Sequence, residues 1–388
     1  MAQIPYFEPF ETTVDGHKLK LAVSGTDRLA LLMGLIEGAQ SSLRLFFYIF
    51  GDDEIALRVR SALIEARSRG VKVWLLVDGF GARERPDSVY QPLIDAGVVF
   101  SRFYPRWGRS YLLRNHQKIV VADEKIAMVG GSNVLAHYFT DDPNGGSWHD
   151  LFLRIEGPAV VRLARYFDGL RRWMLSPSPR LRGWLHILSR RSDKGGIIRW
   201  LFSGPFRRIS PLTGAIRQDI ATAKRIDMIQ AYFSPNWGTL RRLARVEQRG
   251  GEMRLITAAR SDNTTTISAA RHCYRRLLRN RIEIYEYLPQ MLHMKLIVVD
   301  DAVYIGSSNF DMRSLYINGE IMIRIEDAGF AGKMRAFVAA HIPYCTEITL
   351  AEHKMRSSWL ARIRRLLAYF IVSTVDFGVT RTISLRRR

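Results

Sequence analysis

His116 and Lys118 stand two residues apart with Asp123 five further on, and the same order recurs at His293, Lys295 and Asp300, 177 residues later. Each copy runs on to a glycine turn that ends in asparagine, Gly130–Asn133 in the first and Gly306–Asn309 in the second. Side chains two apart on an extended strand share a face, so each copy presents an imidazole beside an ammonium. Together with an amide and a low-bulk backbone, that set suits a phosphate oxyanion. Lys118, Lys295, Asn133, Asn309 and Ser307 are the candidates to hold phosphate oxygens. The two imidazoles can supply a nucleophile and a proton carrier. One such copy could decorate an ordinary hairpin; two matched copies imply one site assembled from two half-sites across a pseudo-twofold axis. A metal centre is disfavoured, since each His has a cationic neighbour on its own face and no Cys or acidic ligands cluster nearby. No cofactor is called for.

The elements that must position these residues are equally repetitive. The runs Ile119–Ala122 and Leu296–Val299 are rich in β-branched residues and read as buried strands. Asp123 and Asp300 complete the catalytic motif but open tight turns, and are expected mainly to fix the hairpins. Ile126–Val129 and Ala302–Ile305 are the return strands. Upstream, the spacing predicts a helix over Arg28–Ser41, a strand over Leu43–Tyr48, a helix over Glu54–Arg69 ended by Gly70, and a strand over Val71–Val77. The second half repeats the order with Ala215–Lys224, Ile226–Phe233, Thr239–Arg249 ended by Gly250, and Met253–Thr257. Such alternation predicts an α/β fold, duplicated, with largely parallel sheets and helices on both faces.

The pattern His-X-Lys-(X)4-Asp, present twice with Gly-X-X-Asn following, resembles the phospholipase D superfamily. The flanks resemble its bacterial cardiolipin synthase branch: FFYIFGDDEIALRVRSALIEARSRGVKVWLLVDGFG within 43–81, SWHDLFLRIEGPAV at 147–160 and NFDMRSLYINGEIMIRIED at 309–327. The first copy carries Gly131 where the wider superfamily often has Ser, and the second copy is one residue shorter between its Asp and its Gly. The resemblance implies two duplicated α/β/α domains with the active site at their interface. With the two basic segments that break the helix–strand pattern set apart, the chain divides into a first domain over residues 1–170, a basic linker or insertion over 171–210, a second domain over 211–350 and a basic-apolar tail over 351–388. The resemblance also implies that acids on the strands after the motifs orient the imidazoles, Asp150 serving the first half and Glu320 the second. The first-motif histidine would be the nucleophile by resemblance, although symmetry leaves His116 and His293 both open. His149 should face away from Asp150, and His137, His272 and His341 have no catalytic context.

Charge is concentrated in two places. Residues 171–210 carry a net +9 and residues 354–388 a net +8, out of +21 for the chain. Both segments mix arginine with large apolar residues such as Trp184, Trp200, Trp359 and Phe370, a composition suited to an anionic phospholipid surface. A core-packing helix is the plainer reading of Leu366–Val375. Spanning a membrane needs about 20 apolar residues, and Asp376 interrupts the run. Nucleic acid is a less suitable partner, because phosphodiester binding alone does not need so many apolar groups. The N-terminus lacks the pattern of a secretory signal, and Cys273 and Cys345 form no disulfide framework. The expected setting is cytoplasmic and peripheral to the inner (plasma) membrane. The expected activity is a phosphatidyltransferase of cardiolipin synthase type acting on phospholipids through a phosphohistidine. A hydrolytic phospholipase D and a metal-independent nuclease are the alternatives. Oligomeric state leaves no mark in the sequence.

Overall fold

The helix–strand alternation written twice in the sequence builds two eight-stranded sheets. A computed structural model describes residues 4–103, 113–355 and 358–375 of the chain. Across the first sheet the strands run Phe10–Val14, His17–Ala22, Phe152–Glu156, Ile126–Gly130, Ile119–Ala122, Ser42–Phe47, Lys72–Asp78 and Val99–Phe103. Across the second they run Ile198–Ser203, Glu320–Glu326, Ala302–Gly306, Lys295–Val299, Arg225–Gln230, Glu252–Ala258, Glu283–Tyr287 and Cys345–Glu347. From Phe152–Glu156 against Glu320–Glu326 onward to Val99–Phe103 against Glu283–Tyr287, strands correspond one to one.

The sheets are mixed, not largely parallel. In each, only two of seven neighbouring pairs are parallel, those among the three strands joined by helices. The motif hairpins and their neighbours are antiparallel. Short turns can join only antiparallel strands, so the motif itself sets the sheet's character on that side.

Helices begin earlier than apolar periodicity alone predicts, because polar caps start them. Ser24 accepts the Asp27 amide at 3.0 Å and opens Gly25–Glu37. Ser210 accepts the Thr213 amide at 3.2 Å and opens Pro211–Thr222, with proline in the first turn where no amide is needed. Glu54–Ser68 and Trp237–Gln248 are followed by Gly70 (φ 89°) and Gly250 (φ 78°), the left-handed positions that stop them.

Packing gives five layers. Helices Gly25–Glu37 and Glu54–Ser68 bury one face of the first sheet. Pro211–Thr222, Trp237–Gln248 and Thr264–Leu278 bury the outer face of the second. Between the sheets lie Ala159–Met174 and Ala328–His341, in one continuous apolar core that includes Phe46, Ile119 and Leu153 from one sheet and Ile229, Leu296 and Ile321 from the other. The halves therefore meet through a shared interior.

That interior takes up the apolar half of the basic segment 171–210. Trp184, Leu188, Ile198, Trp200, Leu201 and Phe202 are buried, and Ile198–Ser203 pairs along Glu320–Glu326 as an edge strand of the second sheet. The expectation that these residues form a lipid-facing surface is therefore corrected. The alternating strand IRWLFS supplies the reason, since it faces core on both sides except at Arg199. The second basic segment behaves oppositely. Trp359, Leu360, Leu366, Leu367 and Phe370 are all exposed. Arg356, Asp376, Arg381 and Arg386–Arg388 lie outside the described residues. No helix among the described residues is long and apolar enough to cross a membrane.

Candidate active site

Backbone exchanged between the halves brings the two motifs together. The segment before His116 lies beside the strand after the second motif, where the His116 amide donates to Gly319 O at 2.8 Å and the Gly319 amide donates to Arg114 O at 2.8 Å. The pseudo-equivalent exchange pairs Met291–Leu292 with Trp148–His149, and the His293 amide donates to His149 O at 2.8 Å. Each histidine is thus held on backbone of the opposite half.

The carboxylates follow the same exchange, which corrects the expected pairing. Asp150 does not orient the histidine of its own half; its Oδ2 lies 2.7 Å from His293 Nδ1. Glu320 Oε2 lies 3.2 Å from His116 Nδ1. A carboxylate on Nδ1 fixes the tautomer with its proton there and leaves Nε2 bare toward the cavity. Lys295 Nζ also lies 2.8 Å from His293 Nδ1, but one nitrogen cannot both donate and accept. The shorter, charge-assisted carboxylate contact decides the tautomer, and Lys295 donates to His293 O. Lys118 donates to His116 O at 2.7 Å.

Electrostatically the site is prepared for an anion. Burial, and then the Lys118 ammonium, bring His116 down to about 4. Burial, and then Lys295, bring His293 down to about 3. Both rings are therefore neutral near pH 7. Burial lowers Lys118 to about 7 and Lys295 to about 8. Burial alone would raise the Asp150 carboxyl, yet Lys295 and His293 outweigh it and hold the group at about 2. Glu320 is likewise held below its ordinary value against burial, through His116 and Lys118. Two cations with strained ionisation beside two neutral imidazoles would be relieved by a phosphodiester anion.

The glycine turns deliver different chemistry in the two halves. Ser307 hydrogen-bonds Glu320 Oε2 at 2.6 Å and accepts the Ile321 amide at 3.1 Å. It braces a carboxylate and does not reach into the cavity as a phosphate ligand, which corrects that expectation. Its counterpart Gly131 has no space for a side chain: a Cβ would sit 2.5 Å from Asp150 Oδ2 and 2.9 Å from Lys295 Nζ. Ser132, one residue on, donates to Asp150 Oδ2 at 3.2 Å instead and takes a bond from the buried Arg28 at 3.1 Å. The extra residue of the first copy is absorbed in its turn, with three residues between paired Ala122 and Ile126 against two between Val299 and Ala302. Gly130 and Gly306 consequently keep the same place, against Leu151 O and Ile321 O. Gly131→Ser, although it restores the commoner superfamily residue, is expected to lower activity at least about 100-fold, by displacing a group that orients His293. Ser307→Gly at the equivalent position should lower it only about tenfold, having lost one hydrogen bond to a charged group. Turnover of the two variants side by side checks this.

Asn133 and Asn309 line the cavity. Asn133 Oδ1 also accepts the Ile49 amide at 3.1 Å, so part of its amide fixes local backbone. Asp123 and Asp300 are not brought to the cavity. They sit at the far ends of strands about 13 Å and about 16 Å long at ordinary rise, with φ of 53° and 46°. Asp123 accepts the amides of Gln40, Ser41 and Ser42 at 2.7 to 2.8 Å, and Asp300 those of Lys224 and Arg225. Although they complete the motif, neither takes a catalytic place at the cavity; both tie the hairpin to the preceding strand, the role their turns led one to expect.

The cavity holds about 350 Å³ and is lined by both histidines. Arg114 and Arg313 border it near His116, while Tyr138 and Trp148 pack their rings 5.1 and 5.0 Å from that of His293. Tyr48 meets the His116 ring edge-on at 4.8 Å. Sequence reasoning missed these, together with Arg28, Gln117 and Asn318, which donates to Glu320 Oε1 at 3.2 Å. Gln117 lies within the first motif and Arg114 beside it, while Tyr48, Trp148, Arg313 and Asn318 lie in the flanking segments that resemble the family; Arg28 and Tyr138 carried no local signal. His149 faces away from the cavity, its Nε2 2.9 Å from that of buried His341. His272 stacks on Tyr369, and half-buried His137 packs on Trp148. Among the described residues no three His, Cys, Asp or Glu side chains cluster as metal ligands would.

A family model described as cardiolipin synthase, PLD-like domain, matches residues 32–170 and 216–341. A cardiolipin synthase A of Pseudomonas aeruginosa (strain LESB58) is 29% identical over 344 residues, covering 87% of this chain and 69% of the relative. One from Pectobacterium carotovorum subsp. carotovorum is 29% identical over 373 residues, covering 92% and 76%. Among solved structures, a phosphatidylserine synthase of Haemophilus influenzae Rd KW20 has the same fold, with a TM-score of 0.70 at 13% identity over 95% of both chains. A polyphosphate kinase of Porphyromonas gingivalis shares it more loosely, with a TM-score of 0.59 at 16% identity over 90% of this chain and 52% of that one.

Proposed function

The chain belongs to the family of cardiolipin synthase, PLD-like domains, and from that premise we propose that it is a phosphatidyltransferase that moves a phosphatidyl group from one phospholipid to the hydroxyl of another. The observation that carries this reading is the pair of histidines facing one cavity, each backed by a carboxylate of the opposite half.

In this reading His116 Nε2 attacks phosphorus, a P–N bond forms, and the P–O bond to the departing alcohol breaks. His293, which takes a proton at Nε2 from solvent once the bound anion has compensated the lysines, gives that oxygen this proton. His293 then takes the proton of the incoming hydroxyl, whose oxygen displaces His116 and restores both rings. The assignment rests on the closer carboxylate of His293, 2.7 Å against 3.2 Å for His116, which favours an imidazolium once the bound anion has compensated the lysines. Lys118, Lys295, Asn133 and Asn309 hold the phosphoryl oxygens. Arg114 and Arg313, at the His116 side of the cavity, supply charge for a second phosphate such as a phospholipid acceptor carries. The setting proposed is the cytoplasmic face of the inner membrane, with phospholipid substrates drawn from an anionic surface.

The test is mass spectrometry of lipids after incubation with phosphatidylglycerol vesicles, with and without phosphatidylethanolamine. Enzyme-dependent cardiolipin with release of glycerol or ethanolamine supports the proposal and identifies the donor. Phosphatidic acid alone would make water the acceptor and the chain a hydrolase.

The lysines set a pH dependence. Their charged forms are the useful ones, and burial moves the loss of charge down to about 7 for Lys118 and about 8 for Lys295. We therefore expect kcat/KM to fall as pH rises through that range. The acid limb should lie well below neutrality, because His116 protonates only near 4. A flat profile from about pH 6 to about pH 9 would contradict the assigned role of the lysines.

A further inference from the structure

We propose that the terminal helix Trp359–Phe370 is a membrane-docking element that lies on an anionic phospholipid bilayer and sets the mouth of the reaction cavity at its surface. This deepens the phosphatidyltransferase reading and rests on it for the identity of the cavity's substrate.

The helix is turned inside out. At about 100° per residue, Trp359, Ile363, Leu366 and Phe370 fall in one sector of roughly 60°. They are 69%, 47%, 52% and 50% exposed. Leu360, Leu367 and Ile371 widen the same side and are 61%, 54% and 51% exposed. The opposite sector holds the smaller Ala361 and Ala368, with Ala368 buried, and the half-buried Arg365. That is the side packed on helix Thr264–Leu278. A surface helix of a water-soluble protein buries its apolar stripe and shows its polar one; here the bulky stripe points outward. Exposed Arg362 and Arg364 stand at the two borders of that stripe, where they would meet lipid phosphates. Apolar face, arginine borders and an aromatic residue at one end together describe an interfacial helix.

Its placement connects it to the chemistry. Tyr369 anchors it to the second half by donating to Pro235 O at 2.8 Å and by stacking on His272 with centroids 4.8 Å apart. Just beyond, Val372 is part of the wall of the cavity that contains His116 and His293. A bilayer seated on the outward stripe would therefore lie beside the entrance through which a lipid headgroup must pass.

The experiment compares wild type with the double variant Leu366→Glu, Phe370→Glu. Both side chains are exposed and neither lines the cavity, so thermal unfolding should be unchanged. Flotation with vesicles of equal phosphatidylglycerol and phosphatidylcholine should show binding weakened at least about tenfold, while turnover of monomeric short-chain phosphatidylglycerol stays within about twofold. Wild-type-like flotation of the variant would overturn the proposal. So would sedimentation showing that wild type is a dimer and the variant a monomer, since the face would then belong to a second copy. Flotation needs no turnover, so it reads the docking claim even if the transferase reading fails; absence of turnover on both substrates by wild type would count against that reading alone.

Discussion

Alanine at His116 or at His293 is expected to reduce phosphatidyl transfer by about four orders of magnitude, because each removes a group that makes or breaks a bond in every turnover. The two losses should differ in kind. A phosphodiester with a p-nitrophenol leaving group needs no proton to depart. His293→Ala should therefore still release about one equivalent of p-nitrophenol and hold the phosphoryl group on His116. His116→Ala should release none. Rapid-mixing absorbance and mass spectrometry of the intact protein read both quantities. Exchange of the two phenotypes would reverse the assignment of nucleophile and proton carrier, and wild-type transfer by either variant would end the proposal.

The second large effect tests the crossed carboxylates. Asp150→Asn should lower transfer of natural lipid about a thousandfold, by losing the group that holds His293 in its tautomer and stabilises its imidazolium. Glu320→Gln should do the same to His116. On the p-nitrophenyl substrate Asp150→Asn should behave like His293→Ala and retain the burst, although Asp150 stands 34 residues from His116 in the chain and 143 from His293. Glu320→Gln should lose it. If each carboxylate variant instead mimicked the histidine of its own half, the backbone exchange at Gly319 and His149 would not govern the chemistry.

How far the sequence reached can be judged from such residues. His116, Lys118, His293 and Lys295 were legible because strand spacing is local, and the hairpins around Asp123 and Asp300 were legible for the same reason. The partner of each imidazole was not, because Asp150 and His293 are joined by a pairing between halves that no local period encodes. Ser307 looked like a phosphate ligand from its place in a glycine turn; only the neighbouring strand reveals Glu320 beneath it. The parallel sheets were over-read from helix–strand alternation, which governs only Ser42–Phe47, Lys72–Asp78 and Val99–Phe103 in the first half and Arg225–Gln230, Glu252–Ala258 and Glu283–Tyr287 in the second. The segment 171–210 misled through its charge count. Its arginines and its tryptophans belong to opposite faces, and composition does not separate faces.

The crossed arrangement also bears on descent. A single-motif chain could build this site only by pairing with a twin, each donating its acid to the other's histidine, and both acids would then have to be the same residue. Here one is Asp and the other Glu, and Gly131 stands opposite Ser307. Such divergence is closed to two identical chains but open to two copies on one chain, where each may change while its counterpart stays put. A single chain carrying both copies thus holds two separately adjustable imidazoles, one free to specialise in bonding phosphorus and the other in carrying hydrogen. By the same logic, neither half expressed alone should regain chemistry through self-association, because two identical halves would bring together the wrong pair of acids and turns.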